Sequence, residues 1–218
     1  MEALTAIMRN HPDHVPFFGI ITDYTVIPFT RDTALDEYFI PHKELVPDFE
    51  KKKMRSDNLV PTSIPVSPKF RIQISKEDAR KELGLPVDKR IILIMSGGVG
   101  CESIKPLIKK FRKYGIPEDR FYCILAGNNA KLKETIAKSC SSDKVQAVGF
   151  TDKVHLYLKA ADVVISKSGG LSSTEVAVAN VPVVHFKPIP GCETCNARFY
   201  EAKGMSKLAK NSKEALKI

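Results

Sequence analysis

The residues best suited to chemistry lie between Val163 and Asn196, in the stretch VVISKSGGLSSTEVAVANVPVVHFKPIPGCETCN. A turn of small residues, Ser168 to Gly170, separates an apolar run from a helix start that carries the hydroxyls of Ser172, Ser173 and Thr174. At such a turn, backbone N–H groups and hydroxyls converge on a place that suits a phosphate. The stretch therefore predicts a pocket for a nucleoside diphosphate.

Glu175 allows two interpretations. The spacing Ser172-x-x-Glu175 matches a capping box, in which the carboxylate accepts a hydrogen bond from the first N–H of the helix and contributes on the order of 1 kcal/mol. A carboxylate near the start of a phosphate-binding helix also suits a ribose diol, as acidic residues do in other nucleotide sites. The spacing by itself favours the capping role.

The elements that position these residues alternate regularly from Ser75 onward. Val- and Ile-rich runs without polar alternation are typical of parallel strands covered on both faces, and helical segments separate them. The predicted strands are Ile91–Ser96, Tyr122–Gly127, Val145–Phe150, Val163–Lys167 and Val183–Phe186, and the last predicted helix is Glu193–Lys203. This order predicts an α/β fold with a doubly wound parallel sheet from Pro65 to the end of the chain.

Three strand ends carry small or polar loops, at Gly97-Gly98, Gly127-Asn128 and Ser168-Gly169-Gly170. Glycine allows a backbone to approach a ligand closely, although it is also the commonest way to turn from strand to helix. Recurrence at one edge of the sheet favours the binding role. The loops lack G-x-G-x-x-G spacing and no G-x-x-x-x-G-K-[ST] occurs, which disfavours dehydrogenases and P-loop NTPases.

The first 64 residues contain too few elements for a complete domain. The segment Phe17–Tyr24 predicts a buried strand. Closely spaced prolines at Pro61, Pro65 and Pro68 then predict an extended linker where a hinge can lie.

Charge and cysteine usage narrow the partners. The net charge of +9 suits a nucleotide, an acidic lipid surface or a nucleic acid, and solvated surface lysines explain it equally well. The lysines are spread along the chain without interleaved aromatic residues, so we expect no nucleic-acid binding. Without an apolar span or an export signal, we expect a cytoplasmic chain with reduced thiols. Coincidence explains the C-x-x-C of Cys192 and Cys195 best.

The motif pattern resembles that of the lipid glycosyltransferases that include monogalactosyldiacylglycerol synthase and the processive diacylglycerol glucosyltransferases. Their pattern is similar to K-x-G-G-x-T-x-T-E-A, an apolar strand, and P-x-P-G-Q-E followed by Asn. The matching positions are Lys167, Gly169, Gly170, Thr174, Glu175, Pro188, Pro190, Gly191, Glu193 and Asn196, and Cys192 replaces the family's Gln. The resemblance extends back to Thr22-Asp23-Tyr24 and covers almost the whole chain.

This resemblance implies a GT-B fold whose carboxyl-terminal Rossmann-like domain binds a UDP-sugar, with no cofactor and no metal. The sequence contains no Asp-x-Asp, the motif of the metal-bridged glycosyltransferase fold. In the implied pocket, Phe150 meets the uracil, Glu175 the ribose, and Glu193 with Asn196 the sugar. The full set of implied donor-binding residues is Gly97, Gly98, Gly127, Asn128, Phe150, Ser168, Gly169, Gly170, Thr174, Glu175, Pro190, Gly191, Glu193 and Asn196.

On the acceptor side, the resemblance implies Asp23 and Tyr24 and a diacylglycerol-type lipid at the cytoplasmic face of a membrane. It implies inverting transfer of a hexose, and it assigns no catalytic residue. Compared with the family, the chain is expected to be truncated at both ends, with residues 1–64 as a partial acceptor-side domain and linker and residues 65–218 as the donor domain. The alternative is a nucleotide-sugar binding remnant or half of a split enzyme that needs a missing amino-terminal half. Epimerases of the same fold are a more distant third.

Overall fold

The computed structural model describes residues 10–11, 15–28, 30–33, 35–95, 104–140 and 143–217. Its strands are β1 (Phe18–Ile20), β2 (Glu37–Ile40), β3 (Leu59–Pro61), β4 (Arg90–Met95), β5 (Arg120–Gly127), β6 (Val145–Gly149), β7 (Val163–Ser166), β8 (Val183–Phe186) and β9 (Ser206–Ala209). Its helices are α1 (Val46–Lys51), α2 (Lys76–Leu83), α3 (Lys105–Tyr114), α4 (Ala130–Ser139), α5 (Val154–Ala160), α6 (Gly170–Ala179), α7 (Cys192–Ala202) and α8 (Ser212–Ala215). Short 3-10 turns cover Thr30–Asp32, Lys43–Leu45, Ser56–Asn58 and Pro68–Arg71.

Six parallel strands form the main sheet in the order β6-β5-β4-β7-β8-β9. Counted from β4, this order is 3-2-1-4-5-6, that of a Rossmann-type doubly wound sheet. The predicted fold class is therefore confirmed. Strand β9 and helix α8 follow the last predicted helix and were not anticipated, because their segment is short and rich in lysine.

Strand β4 shows why the central strands are apolar throughout. Ile92 and Ile94 pack into the core on one face of the sheet, with α3 and α4. Ile91 and Leu93 pack into the core on the other face, with α2, α5 and α6. Since successive side chains of a strand point to opposite faces, a sheet covered on both sides requires an apolar residue at every position.

A second sheet contains the parallel strands β1, β2 and β3 in that order. The prediction of a buried strand over Phe17–Tyr24 is wrong in its length and its burial. The strand spans Phe18–Ile20, and both of those side chains are 55% exposed. The apolar run contributes to the core only beyond the strand, through Ile21 and Tyr24.

The proline-rich segment after β3 packs against both sheets. Ile64 is buried in the core of the small sheet, whereas Phe70 is buried in the core of the main sheet. From the other direction, Tyr200 of α7 is buried in the core of the small sheet. The two sheets are thus joined by buried side chains from both sides of the predicted boundary.

Candidate functional site

The topology defines a crevice between β4 and β7, where the strand order reverses. The chain leaves these neighbouring strands toward opposite sides, and open α/β sheets bind ligands outside the carboxyl ends of such strands. The loop after β7 contains Ser168 and Gly169. The loop after β4, with Gly97 and Gly98, lies outside the described residues.

The same edge carries Gly127, Asn128 and Phe150 at the ends of β5 and β6. Gly127 has a φ of +55°, and Asn128 is exposed. Phe150 is 76% exposed, an unusual environment for an aromatic ring. It lies three strand spacings from β7, roughly 14 Å, so the edge offers an extended shelf for a ligand.

The start of α6 differs from the predicted one, and the capping-box interpretation of Glu175 is wrong. The helix begins at Gly170 with Gly169 as its N-cap, and no side chain caps it. Ser172 is therefore the third helical residue, and Glu175 lies in the second turn, too far along to reach the first N–H group. Burial raises the pKa of Glu175, and no other described residue forms a hydrogen bond with its carboxylate.

Most hydroxyls of this stretch are already used within the fold. The Ser168 hydroxyl donates to the Glu193 carbonyl at 2.6 Å. Ser173 Oγ lies 3.2 Å from His185 Nε2, and Thr174 Oγ1 donates to the Gly170 carbonyl at 2.8 Å. The prediction that Ser173 and Thr174 direct hydroxyls at a phosphate is thus wrong, because both side chains are buried beneath the helix. The uncapped N–H groups of the first turn of α6 remain available for an anion.

Glu193 ties together the loops after β7 and β8. Its Oε1 lies 3.3 Å from Lys167 Nζ, and its Oε2 accepts a hydrogen bond from the Ile189 N–H at 2.8 Å. The side chains of the pair are only 20% and 16% exposed. The loop from Ile189 to Glu193 includes the exposed Pro190 and turns at Gly191. The φ of Gly191 is +102°, a conformation that only glycine adopts without strain. The structure thus brings Pro190, Gly191 and Glu193 to the edge that holds Gly169.

Asn196 joins the donor-side loops to the acceptor-side residues. It is fully buried, donates from Nδ2 to the Ser168 carbonyl at 2.9 Å and to Asp23 Oδ1 at 2.7 Å, and accepts from the Tyr24 N–H at 2.6 Å. Three of its four hydrogen-bonding positions are thereby occupied. Asn196 therefore links the loop at Ser168 to the segment of Asp23 and Tyr24 by hydrogen bonds.

A second contact between these segments was missed from the sequence. A Cβ placed on Gly170 would lie 1.7 Å from the Thr22 carbonyl oxygen, whereas one on Gly169 would meet nothing within 4 Å. Gly170 is thus required for close packing of the amino-terminal segment on α6. The motif gave no signal of this, since adjacent glycines look identical in sequence.

Three hydroxyls form a buried cluster beside this contact. Tyr24 Oη lies 2.8 Å from Tyr200 Oη and 3.2 Å from Thr174 Oγ1, and the last two are 3.1 Å apart. Burial raises the pKa of Tyr200 far above its usual range. Thr174 and Tyr24, which both belong to the motif pattern, thus contact each other and Tyr200 in the core.

His185 lies below α6 in β8 and is completely buried. Burial lowers its pKa to about 4, and the charge of Glu201 opposes this only in part. Its Nδ1 has no hydrogen-bond partner in the described part of the chain. His185 is therefore a neutral core residue that supports Ser173.

Comparison with known proteins decides the family. The family model "Glycosyl transferases group 1" matches residues 75–216, which is more than half of the chain. The chain belongs to the group 1 glycosyl transferase family. Within this family, a curated relative is the processive diacylglycerol beta-glucosyltransferase of Bacillus pumilus, 28% identical over 198 residues. The alignment covers 87% of this chain and 50% of the relative, so the chain spans about half the length of that protein.

Solved structures support the same fold. HepE from Anabaena, solved in complex with UDP, aligns with a TM-score of 0.64 at 14% identity and covers 98% of this chain and 64% of its own. MurG of Acinetobacter baumannii aligns with a TM-score of 0.62 at 16% identity, and the alignment covers 94% of this chain and 55% of MurG. The chain therefore has a Rossmann-like α/β fold that it shares with part of these GT-B glycosyltransferases. None of the helices in its described ranges is long and apolar enough to cross a membrane.

Proposed function

We propose that this group 1 glycosyl transferase binds a UDP-hexose at the crevice beside β7 and that the hexose passes to a diacylglycerol-type lipid. The observation that carries the proposal is Glu175, a half-buried carboxylate without a described partner in the helix that follows β7. A desolvated carboxylate gains most from ligand groups that donate hydrogen bonds, and a ribose diol offers two. A related chain was solved with UDP, and a curated relative is named for glucosyl transfer to diacylglycerol.

Each part of the donor has a proposed partner. The uracil stacks on Phe150 near Gly127 and Asn128, and the ribose binds Glu175. The diphosphate sits on the N–H groups that follow Gly169, where the helix dipole offsets its charge without a metal. The hexose contacts the Lys167–Glu193 pair and the loop at Pro190 and Gly191. Gly97 and Gly98 are proposed to approach the ligand from the β4 side.

Two residues of the implied donor set receive a positioning role instead. Asn196 and Thr174 are buried and form hydrogen bonds within the fold. We propose that they hold the amino-terminal segment with Asp23 and Tyr24 against the donor loops. Residues 1–64 are then the acceptor-side part and residues 65–218 the donor domain.

The reaction we propose inverts the anomeric centre. The lipid hydroxyl attacks the anomeric carbon from the face opposite the diphosphate, the bond between that carbon and the UDP oxygen breaks, and a general base takes the hydroxyl proton. The motif pattern places Asp23 on the acceptor side, but Asp23 Oδ1 already accepts a hydrogen bond from Asn196. We therefore propose that the base and most of the lipid site come from sequence that the longer relatives possess, and that the enzyme works at a membrane surface.

Calorimetric titration with UDP tests the donor site. We expect UDP to bind with the same affinity in the presence and absence of a chelator, because backbone N–H groups carry the diphosphate. Loss of binding on chelation would contradict the metal-independent site. Absence of UDP binding in both conditions would contradict the donor site itself.

The alternative is a donor-binding chain that needs a second polypeptide for transfer. It is favoured by the engaged carboxylate of Asp23. Incubation with labelled UDP-glucose and diacylglycerol separates the two. A β-linked glycolipid formed by this chain alone would refute the alternative, whereas UDP binding without product would support it.

A further inference from the structure

A second cavity lies at the amino ends of the strands of the main sheet, where α3 ends, β5 begins and α8 packs. It has a volume of about 360 Å³, and its apolar wall contains Phe111, Tyr122 and Leu216. It opens beside Arg120, the first residue of β5, whereas the donor edge lies at Gly127. Seven residue steps along a strand separate these positions by roughly 23 Å. The cavity is therefore distinct from the proposed donor site.

Three cations line this cavity, Lys110, Arg120 and Lys213, and no side-chain carboxylate of the described residues does. Lys110 Nζ lies 5.0 Å from the centre of the Tyr114 ring at the rim, and Lys113 Nζ lies 5.2 Å from it. A hydrogen bond from Lys113 and the charges of Lys110, Lys113 and Lys213 lower the pKa of Tyr114. The local field is thus positive, as an anion requires.

Arg120 supplies the second observation. Its Nη1 donates to the Leu216 carbonyl at 3.2 Å, but its Nε is buried and has no partner among the described residues. A guanidinium N–H left unpaired in a buried position is costly, and a bound acceptor removes that cost. Basic residues in the last turn of α3, Arg112 and Lys113, also complement the helix dipole, which explains Lys113 but not the unpaired Nε of Arg120.

Neighbouring acidic groups leave the positive field in place. Glu118 pairs with Lys144, and Glu214 accepts from the Lys210 N–H at 3.0 Å. Burial raises the pKa of the Tyr122 phenol, a hydrogen bond with Arg120 and the Arg120 charge lower it, and the charge of Asp119 raises it further. The carboxylates of Asp119 and Glu214 near the cavity thus face four cations, Lys110, Lys113, Arg120 and Lys213.

We propose that this cavity binds a phosphate group attached to an apolar or aromatic body. The phosphate accepts from the Arg120 guanidinium, Lys110 and Lys213, and the body packs on Phe111, Tyr122 and Leu216. The volume falls at the small end of ligand sites, which suits a single phosphorylated group. A soluble phosphorylated molecule and a lipid headgroup share this chemistry.

Phenyl phosphate is the probe for the site itself. Calorimetry on the full chain is expected to show one site that binds phenyl phosphate more tightly than inorganic phosphate and that persists when UDP is saturating. Replacing both lysines, Lys110→Gln with Lys213→Gln, is expected to weaken binding about tenfold. The matched control is Lys109→Gln with Lys133→Gln, which removes the same charge from exposed positions outside the cavity and is expected to have no effect.

Vesicles then distinguish the sources of the phosphate. The chain is cosedimented with phosphatidylcholine vesicles that contain phosphatidic acid. Vesicle binding that is lost in the Lys110→Gln, Lys213→Gln variant but kept in the Lys109→Gln, Lys133→Gln variant assigns a lipid headgroup. Binding of phenyl phosphate without vesicle binding assigns a soluble ligand. Three results would overturn the proposal: no binding of either probe, equal loss in the two pairs of variants, or displacement of phenyl phosphate by UDP.

Discussion

Asn196 Nδ2 donates a hydrogen bond to Asp23 Oδ1 at 2.7 Å, between residues 173 positions apart in the chain. The bond links α7 of the main sheet to the segment that follows β1 of the small sheet. Both residues belong to the same motif pattern, and the contact shows how they act together. The amide nitrogen donates to the Asp23 carboxylate on one side and to the Ser168 carbonyl on the other.

Replacing the amide of Asn196 by a carboxylate tests these hydrogen bonds. Asn196→Asp turns a donor into an acceptor that faces Asp23 and the Ser168 carbonyl, so we expect a loss of about 3 kcal/mol in the free energy of unfolding. Urea denaturation measures it. Combining Asn196→Asp with Asp23→Asn restores one donor and is expected to recover part of the loss. No recovery would mean that the two side chains do not interact.

The adjacent glycines of α6 are expected to respond in opposite ways. Gly170→Ala forces the Thr22 backbone away, so the unfolding free energy is expected to fall by about 3 kcal/mol. Gly169→Ala meets nothing, and its φ of −63° suits alanine, so its cost is expected to stay below about 1 kcal/mol. Thermal denaturation of the two variants compares them. Equal destabilisation would contradict the asymmetric packing.

Glu175 is expected to act on ligand affinity and not on stability. Glu175→Gln removes an ionised acceptor from the proposed ribose site and is expected to weaken UDP binding about tenfold, with little change in melting temperature. Glu134→Gln on the exposed face of α4 is the control. Because burial raises the pKa of Glu175, the affinity of the unmodified chain is expected to fall as the pH drops through that raised value. A fall in melting temperature without a change in affinity would restore a structural role.

Acid sensitivity of the fold is expected to follow His185. Its folded pKa is about 4 and its ordinary value is 6.5, so the unfolded chain binds more protons between these pH values. The free energy of unfolding therefore falls as the pH decreases from 6.5 to 4, by up to about 3 kcal/mol. Urea denaturation across this range is expected to show the slope, and His185→Leu is expected to flatten it. A slope unchanged by His185→Leu would assign it to other groups.

The sequence by itself determined the fold class and the family. Apolar runs without alternation require a sheet covered on both faces, and their regular separation by helices leaves little freedom except a parallel α/β topology. The motif around Gly169 and Gly191 then pointed to the correct family. These are local signals, because the period of a strand and the spacing of a turn can be read from neighbours in the chain.

Only the tertiary structure decided what each motif residue does. Glu175 matched a capping box in spacing, but the helix starts at Gly170, where the amino-terminal segment packs, so the carboxylate lies one turn further along. Thr174 and Asn196 matched the donor motif, yet their partners are Tyr24, Tyr200 and Asp23, distant in sequence. Hydrogen bonds between distant segments depend on how two sheets are placed together, and the spacing of residues along one segment carries no information about that placement.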